Sequence, residues 1–286
     1  MSTAPAAARS IRPTTLPTPG STWRSWSPIK TICLRSLIAC YASRRPMCVP
    51  TSSPQPNWWI DPMADIVLFG AGKVAEVAEA LFREAGSHRV VAFAVDRAHL
   101  DGPTFLGRPV VAFEELAERY PPAEVKAFVA IGYHALNTAR AERVAALEAQ
   151  GYELVDCISP RAWVAEGALT GRNCLIMPHA VVEPGARLGR DVVVWSNATI
   201  GHHARLDDHV WVAGNSVIGG GAHLGAYTFA ALGTVVGNEV TVGAESLLGA
   251  GVRITRCCAE KSVFIQPETE KYRLDSDRFL RISKLR

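Results

Sequence analysis

Residues 176–211 read IMPHAV VEPGAR LGRDVV VWSNAT IGHHAR LDDHVW, and this stretch decides the fold. Every sixth residue, from Ile176 through Val182, Leu188, Val194 and Ile200 to Leu206, is a large aliphatic one. Four residues after each comes a small or β-branched one: Ala180, Ala186, Val192, Ala198, Ala204 and Val210. The register extends outward without insertion, from Ile158 to Ile254 at the first position and from Ala162 to Cys258 at the fifth. Fifteen of the seventeen first positions are Ile, Leu or Val; Thr170 and Ala230 are the exceptions. Glycine recurs at the second position, as at Gly189, Gly201, Gly219, Gly225 and Gly243. A period of six with one large and one small inward residue is the pattern of a parallel β-helix. Each hexad is a short strand and a turn, and the reading gives the unusual dihedrals of that turn to glycine. No hexad buries itself alone, so stacked coils must form one continuous core.

Working outward toward the N-terminus, residues 63–157 alternate strand and helix. Strands are predicted at Ile66–Phe69, Val90–Val95, Val125–Ile131 and Tyr152–Val155, with helices after Gly72, over Phe113–Tyr120 and over Tyr133–Gln150. This is the signature of a small, Rossmann-like parallel sheet with helices on both faces. In such a sheet ligands bind beyond the carboxyl ends of the strands. There the Gly70-Ala71-Gly72 loop and Lys73 open a helix whose N-terminal amides suit a phosphate. Gly70-x-Gly72-x-x-Ala75 is close to the dinucleotide fingerprint; the alternative is that these glycines only make a tight turn. Asp96, closing the second strand, is placed to accept from a ribose or sugar hydroxyl. Asn137 and Arg140 fall in the first turns of the helix after the third strand, as ligand contacts or as solvated helix residues.

The 286 residues are 48% hydrophobic and 20% charged, ordinary values for a globular protein. No run approaches the ~18 uncharged apolar residues of a spanning helix. The net charge of +3 hides an asymmetry: residues 1–62 hold seven basic groups and one acidic, the remainder 23 basic and 26 acidic. A mildly acidic body without a basic stripe argues against nucleic acid as partner. Ten of the eighteen prolines precede Met63, so residues 1–62 are expected to be a structureless leader, with Met63 as the natural start of the folded protein. Such an Arg- and Ser-rich leader also has the composition of an organellar transit peptide. The seven cysteines form neither a disulfide framework nor a paired CxxC site, which fits a reducing cytoplasm. Leu274–Arg286 reads as a short basic amphipathic helix.

The hexads and the α/β segment before them resemble the hexapeptide-repeat acyltransferases. They are similar in particular to the bacterial sugar acetyltransferases, which include sialic acid O-acetyltransferases and nucleotide-sugar N-acetyltransferases. The resemblance covers roughly residues 65–265. It implies three hexads per left-handed triangular coil, with residues 18 apart stacked at ~4.8 Å. The implied division is a leader (1–62), an α/β nucleotide-sugar-binding domain (63–157), a left-handed β-helix acyltransferase domain (158–260) and a tail (261–286). The implied activity is acetyl-CoA-dependent O- or N-acetylation of a sugar or nucleotide-linked sugar, in polysaccharide biosynthesis, by a cytoplasmic homotrimer without metal.

The resemblance also names residues. His202 stands at the position of the catalytic base. His203 follows it where relatives often carry an acid, and Trp211 stands where they often carry another histidine. Gly220, one coil along from His202, implies a backbone amide for the developing oxyanion. Asn238, with Gly249, Ala250 and Gly251, implies the path of acetyl-CoA beside Gly220. The relatives' C-terminal Gly-x-Pro-Ala-Lys segment is replaced by Ile265-Gln266-Pro267-Glu268. Trp195 and Trp211 are expected between subunits, and the inward Cys174 and Cys258 are excluded as nucleophiles. Two readings of other classes stand beside this one. A non-catalytic nucleotide-sugar-binding scaffold needs no base. A zinc enzyme like the gamma-class carbonic anhydrases needs a histidine spacing that His179, His202, His203, His209 and His223 do not reproduce.

Overall fold

A computed structural model of the chain describes residues 63–283; the leader assigned to 1–62 lies outside them. The α/β portion begins with β1 (Asp65–Phe69), whose apolar residues are buried to both sides. Helix α1 (Lys73–Ala85) follows and ends at Gly86, whose φ of 61° and N–H donated to the Phe82 carbonyl make a left-handed cap. Then come β2 (Arg89–Val95), a hairpin of β3 (Thr104–Phe105) and β4 (Arg108–Ala112), the short helix α2 (Leu116–Arg119), β5 (Lys126–Val129) and helix α3 (Thr138–Ala149). The order in the sheet is β3-β4-β2-β1-β5, parallel except for the antiparallel β3/β4 pair. Ile66, Leu68, Phe93 and Phe128 pack under α1, and Val67, Phe69, Ala92 and Val129 under α3, so both faces are covered.

Three expectations for this portion need correction. The hairpin was not foreseen: β4 is a short run with Pro109 next to its first residue, ahead of the pairing with β2 that begins at Val110, a place where a missing N–H is tolerated. The strand predicted at Tyr152–Val155 reduces to one bridge, Leu154 to Ala127. The last helix starts at Thr138 rather than Tyr133, because Ala135, Leu136 and Asn137 have φ of 49°, 49° and 67°. Three successive left-handed residues cannot belong to a right-handed helix.

From Cys157 the chain winds into a parallel β-helix of two-residue strands on three flat faces. Face I carries seven strands, from Cys157–Ile158 to Val263–Phe264. Face II carries six, from Trp163–Val164 to Arg253–Ile254. Face III carries four, from Arg187–Leu188 to Thr241–Val242. Pairs lie 18 residues apart, as in Val193↔Trp211, Thr199↔Val217 and Arg205↔His223. The first-position side chains form the interior: Leu188, Val194, Ile200, Val212, Ile218 and Leu224 are all fully buried. Fifth positions hold small groups, and where these are hydroxyls they are satisfied locally. Ser246 donates to the Gly243 carbonyl at 2.7 Å and Thr234 to that of Ala231 at 2.8 Å.

The turn is made differently from the sequence reading. From Gly167 to Gly251 every fourth-position residue has a positive φ, including Asn173, His179, Asp191, Asn197, His203 and His209. The second-position glycines do not; at all of them but Gly237 the coils stack too closely for a Cβ. At Gly225 a Cβ would lie 2.5 Å from the Ala244 nitrogen, and at Gly219 2.6 Å from that of Asn238. The register also slips twice. Leu169 bridges Leu188, so Thr170 turns outward and donates to the Leu188 carbonyl. In the last coil Leu247 pairs with Val263, only 16 residues on.

Gly225→Ala is therefore expected to cost about 1–3 kcal/mol, as overpacking against backbone does. Denaturant unfolding of this variant beside Asn215→Gly checks the assignment. Asn215 already adopts φ 58°, so its replacement is expected within a few tenths of a kcal/mol of the parent.

Candidate functional site

The edge where face II turns into face III brings three of the expected residues into one column. Its third positions are Pro184, His202, Gly220 and Asn238, and its fourth positions Gly185, His203, Gly221 and Glu239. His202 and His203 are both exposed. Their rings diverge along the column. His202 lies over Gly220, where a Cβ would sit 2.6 Å from its Nε2, and His203 lies over Gly185, where a Cβ would sit 2.8 Å from its Cδ2. Glycine at each place makes room for an imidazole. The two Nδ1 atoms meet at 3.3 Å. The His202 backbone N–H donates to Glu183 Oε2 at 2.8 Å, which pins the turn from the preceding coil.

Two expectations for this edge change. The Gly220 N–H is engaged: it donates to Asn238 Oδ1 at 2.9 Å. The same bond fixes the Asn238 carboxamide, leaving its Nδ2 as the second polar group of the column. Gly249, Ala250 and Gly251 follow the face I strand Leu247–Leu248, so they lie on the edge between faces I and II. Within one chain, face II separates them from His202.

The α/β portion sits on face I, across the prism from His202. Leu175, Val193 and Trp211 of that face share a cluster with Ile66, Leu68, Phe82 and Phe93. Trp211, expected between subunits, is only 3% exposed and lies beneath Tyr133 and Phe229, with Trp195 half-buried beside it. Arg140 and Asn137 are corrected in the same way. Each is 1% exposed, so neither is available to a ligand. The Arg140 guanidinium pairs with the fully buried Asp191 carboxylate and donates to the Ile131 carbonyl at 2.6 Å. Asp191 also accepts from Asn173 Nδ2 at 2.7 Å and meets His209 Nδ1 at 3.0 Å. Asn137 Nδ2 donates to the His209 carbonyl at 2.8 Å. His209 is thus part of the domain junction.

At the carboxyl end of the sheet the expected residues divide. Gly70 has φ +121°, and a Cβ there would meet the Ala130 oxygen at 2.6 Å. Its glycine is demanded by the fold. Gly72 is exposed with nothing within 4 Å of an added Cβ, and it precedes α1, whose first turn has no side-chain cap. Lys73 is exposed beside it. Asp96 is half-buried and pairs with Arg143 at 3.0 Å, whose guanidinium lies over the rings of Phe69 (5.5 Å) and Phe113 (5.6 Å). The arginine at this end is therefore Arg143. Sequence reasoning chose Arg140, three residues earlier, because no local signal distinguishes the helix face toward the sheet ends from the face toward the coils.

Burial pushes the Cys157 and Cys174 thiols well above the usual range, the neighbouring Asp156 charge adding to it. Neither can serve as a thiolate nucleophile. Among the described residues no three His, Cys, Asp or Glu side chains converge as a metal site requires, and no helix is long and apolar enough to cross a membrane.

The family model for the bacterial transferase hexapeptide (six repeats) matches residues 167–202. The chain carries the transferase hexapeptide repeat. Three solved structures are similar to this hexapeptide-repeat chain. A His-to-Asn variant of perosamine N-acetyltransferase from Caulobacter crescentus, in complex with CoA and GDP-perosamine, is 24% identical over 70% of this chain and 92% of its own, with a TM-score of 0.63. The acetyltransferase domain of PglB from Neisseria gonorrhoeae is 27% identical over 66% and 95%, with a TM-score of 0.53, and it is also solved with acetyl coenzyme A. WeeI from Acinetobacter baumannii is 20% identical over 70% and 95%, with a TM-score of 0.62. A search of curated protein sequences finds no match. The resemblance to hexapeptide-repeat sugar acetyltransferases is borne out, as is the fold class of an α/β portion followed by a left-handed β-helix.

Arg140→Ala is expected to destabilise the protein by about 3–5 kcal/mol, because it strands the buried Asp191 charge. Urea unfolding checks this. A ligand-binding role instead predicts unchanged stability with lost affinity.

Proposed function

We propose that this hexapeptide-repeat chain is an acetyl-CoA-dependent acetyltransferase acting on a hydroxyl or amine of a nucleotide-linked sugar, with His202 as general base. The observation that carries the reading is the column His202, Gly220, Asn238: an exposed imidazole seated on a glycine, beside a carboxamide fixed by that glycine's amide. The CoA and acetyl-CoA complexes of the similar structures support the donor, and the GDP-perosamine complex supports the acceptor class.

Transfer breaks the acceptor O–H or N–H bond as its proton passes to His202. The new bond forms to the acetyl carbon, and the coenzyme's thiolate leaves, taking up that proton. His202 must then have a free lone pair at Nε2. The Nδ1 to Nδ1 contact with His203 permits this in one arrangement: His202 Nδ1–H donates and His203 Nδ1 accepts. His203 so fixes the tautomer, the task that relatives often give to an acid. Asn238 Nδ2 is a donor for the developing oxyanion, in place of the Gly220 amide that already bonds to the same side chain.

On the acceptor side, Gly72 and Lys73 at the α1 N-terminus receive the diphosphate, and Asp96 with Arg143 the nucleoside. This end of the α/β portion belongs to face I, opposite the His202 edge, so a complete site takes His202 from one copy and the acceptor domain from another. The face between is suited to association. Face II presents a ladder of Trp163, Val181, Thr199, Val217 and Val235, with Trp163, Val217 and Val235 exposed by 40%, 42% and 38%. A homotrimer with face II inside, working in the cytoplasm, brings the Gly249–Gly251 edge of one copy beside the His202 edge of the next.

The direct test is thiol release from acetyl-CoA across a panel of nucleotide sugars. No release with any amino- or hydroxy-sugar nucleotide leaves only a binding scaffold. His202→Ala is expected to lower the rate by about 10²–10⁴-fold with the assembly intact, and activity within threefold of the parent rejects His202 as the base. His203→Ala is expected to cost less, and His203→Asp to raise the apparent pKa of the base in the pH–rate profile, as a carboxylate partner does.

Complementation tests the shared site. Gly72→Asp chains, with a like charge at the diphosphate, and His202→Ala chains are each expected to be inactive. Refolded together they are expected to regain activity, and failure to do so with mixed assemblies present places both halves of the site on one chain.

A further inference from the structure

The end of the chain takes no part in the site above. After the last coil strand the chain leads into helix α4 (Ser276–Ser283), in which no residue is buried. Phe279, Leu280 and Ile282 fall within one arc of this helix, and they are exposed by 42%, 49% and 69%. Tyr272 sets its ring edge-on to Phe279 at 5.6 Å and is itself 59% exposed. Arg278 and Arg281 occupy the other side of the helix. Among the described residues, the polar contacts of this segment stay inside it: Arg278 bonds and pairs with Asp275, and the Phe279 N–H donates to the Asp275 carbonyl. The coils do not need α4 as a lid, because Leu248 and Ile254 are already buried with Phe264 packed on them. The same end of the prism leaves Val263 and Ile265 exposed by 66% and 79%.

Charge identifies what this surface fits. Residues 271–286 hold six basic groups and two acidic ones, whereas 63–270 hold 17 basic and 24 acidic. Concentrated basic groups flanking that arc, on an otherwise acidic body, match a plane of many negative charges over an apolar layer. We infer that the C-terminal segment docks the protein peripherally on an anionic lipid bilayer. Phe279, Leu280 and Ile282 enter the boundary between headgroups and acyl chains, and Lys271, Arg273, Arg278 and Arg281 meet the headgroups. In an assembly of several copies the anchors act together, so each can be weak.

Flotation of the full-length protein with vesicles tests this. Vesicles of equal phosphatidylcholine and phosphatidylglycerol are expected to carry at least about tenfold more protein than phosphatidylcholine alone, less so in roughly 0.5 M salt. The Phe279→Glu/Ile282→Glu double variant changes only exposed side chains and is expected to lose about tenfold in binding to the anionic vesicles. Equal flotation on both vesicle types, or none, overturns the inference. So does flotation of the double variant like the parent, which assigns any binding to another part of the chain. A lipid-free light-scattering mass that falls in the double variant also overturns it, by assigning α4 to a second copy.

Discussion

The repeating left-handed residue at the fourth position of each hexad is the constraint on which the rest of the structure depends. One such residue closes each turn, so a side of the prism costs six residues and a coil eighteen. That arithmetic stacks like on like: aliphatic on aliphatic inside, as with Leu188, Leu206 and Leu224, and backbone on backbone at the edges. A left-handed conformation is expensive for most residues, which is why the position is filled by Gly, Asn, Asp, His and a few larger polar groups. His203 occupies it with φ 58°. Its backbone conformation is thus imposed by the coil, and its side chain is available to meet His202.

The α/β portion is held to the coils by a dissimilar pair of interactions. An apolar cluster joins α1 and the sheet to face I. Beside it, Asp191 gathers Arg140, Asn173 and His209, while Asn173 Oδ1 accepts the Val129 N–H at 2.7 Å. Apolar contact is tolerant of sliding. A buried carboxylate with three partners is not, since any displacement leaves a charge without its counterpart. The pair therefore gives the junction both its cohesion and its single arrangement.

The parts of this architecture legible in the sequence were those that repeat. One period, carried through from Ile158 to Ile254, located the core residues and the column of His202, Gly220 and Asn238. The turn dihedrals assigned to the second-position glycines belong to the fourth position, because sequence shows where glycine recurs and not whether φ or a neighbouring backbone requires it. The α/β portion was legible in its strands β1, β2 and β5 and less so in β4, a short run broken by Pro109 at its start. Arg140 and Arg143 were indistinguishable in type and nearly in place; only the docking of α3 against both sheet and coils separates them. Trp211 looked like a surface residue because its cover, Tyr133, comes from a loop 78 residues earlier.

The coil's arithmetic has a consequence for how such a chain tolerates change in length. An insertion of six residues between Trp195 and His202, downstream of the anchors Leu175 and Val193, would add one strand and one turn, keep every aliphatic residue inward, and leave the core of the coils intact. Downstream of it, however, every residue would move to the next edge of the prism. His202 would then lie a third of a turn away from its place relative to the domain anchored on face I. Only insertions or deletions of eighteen return the imidazole to its edge, displaced by one rung along the axis. The fold is thus permissive in units of six while the chemistry is permissive only in whole coils, so changes in length that preserve folding can still separate the two halves of the site.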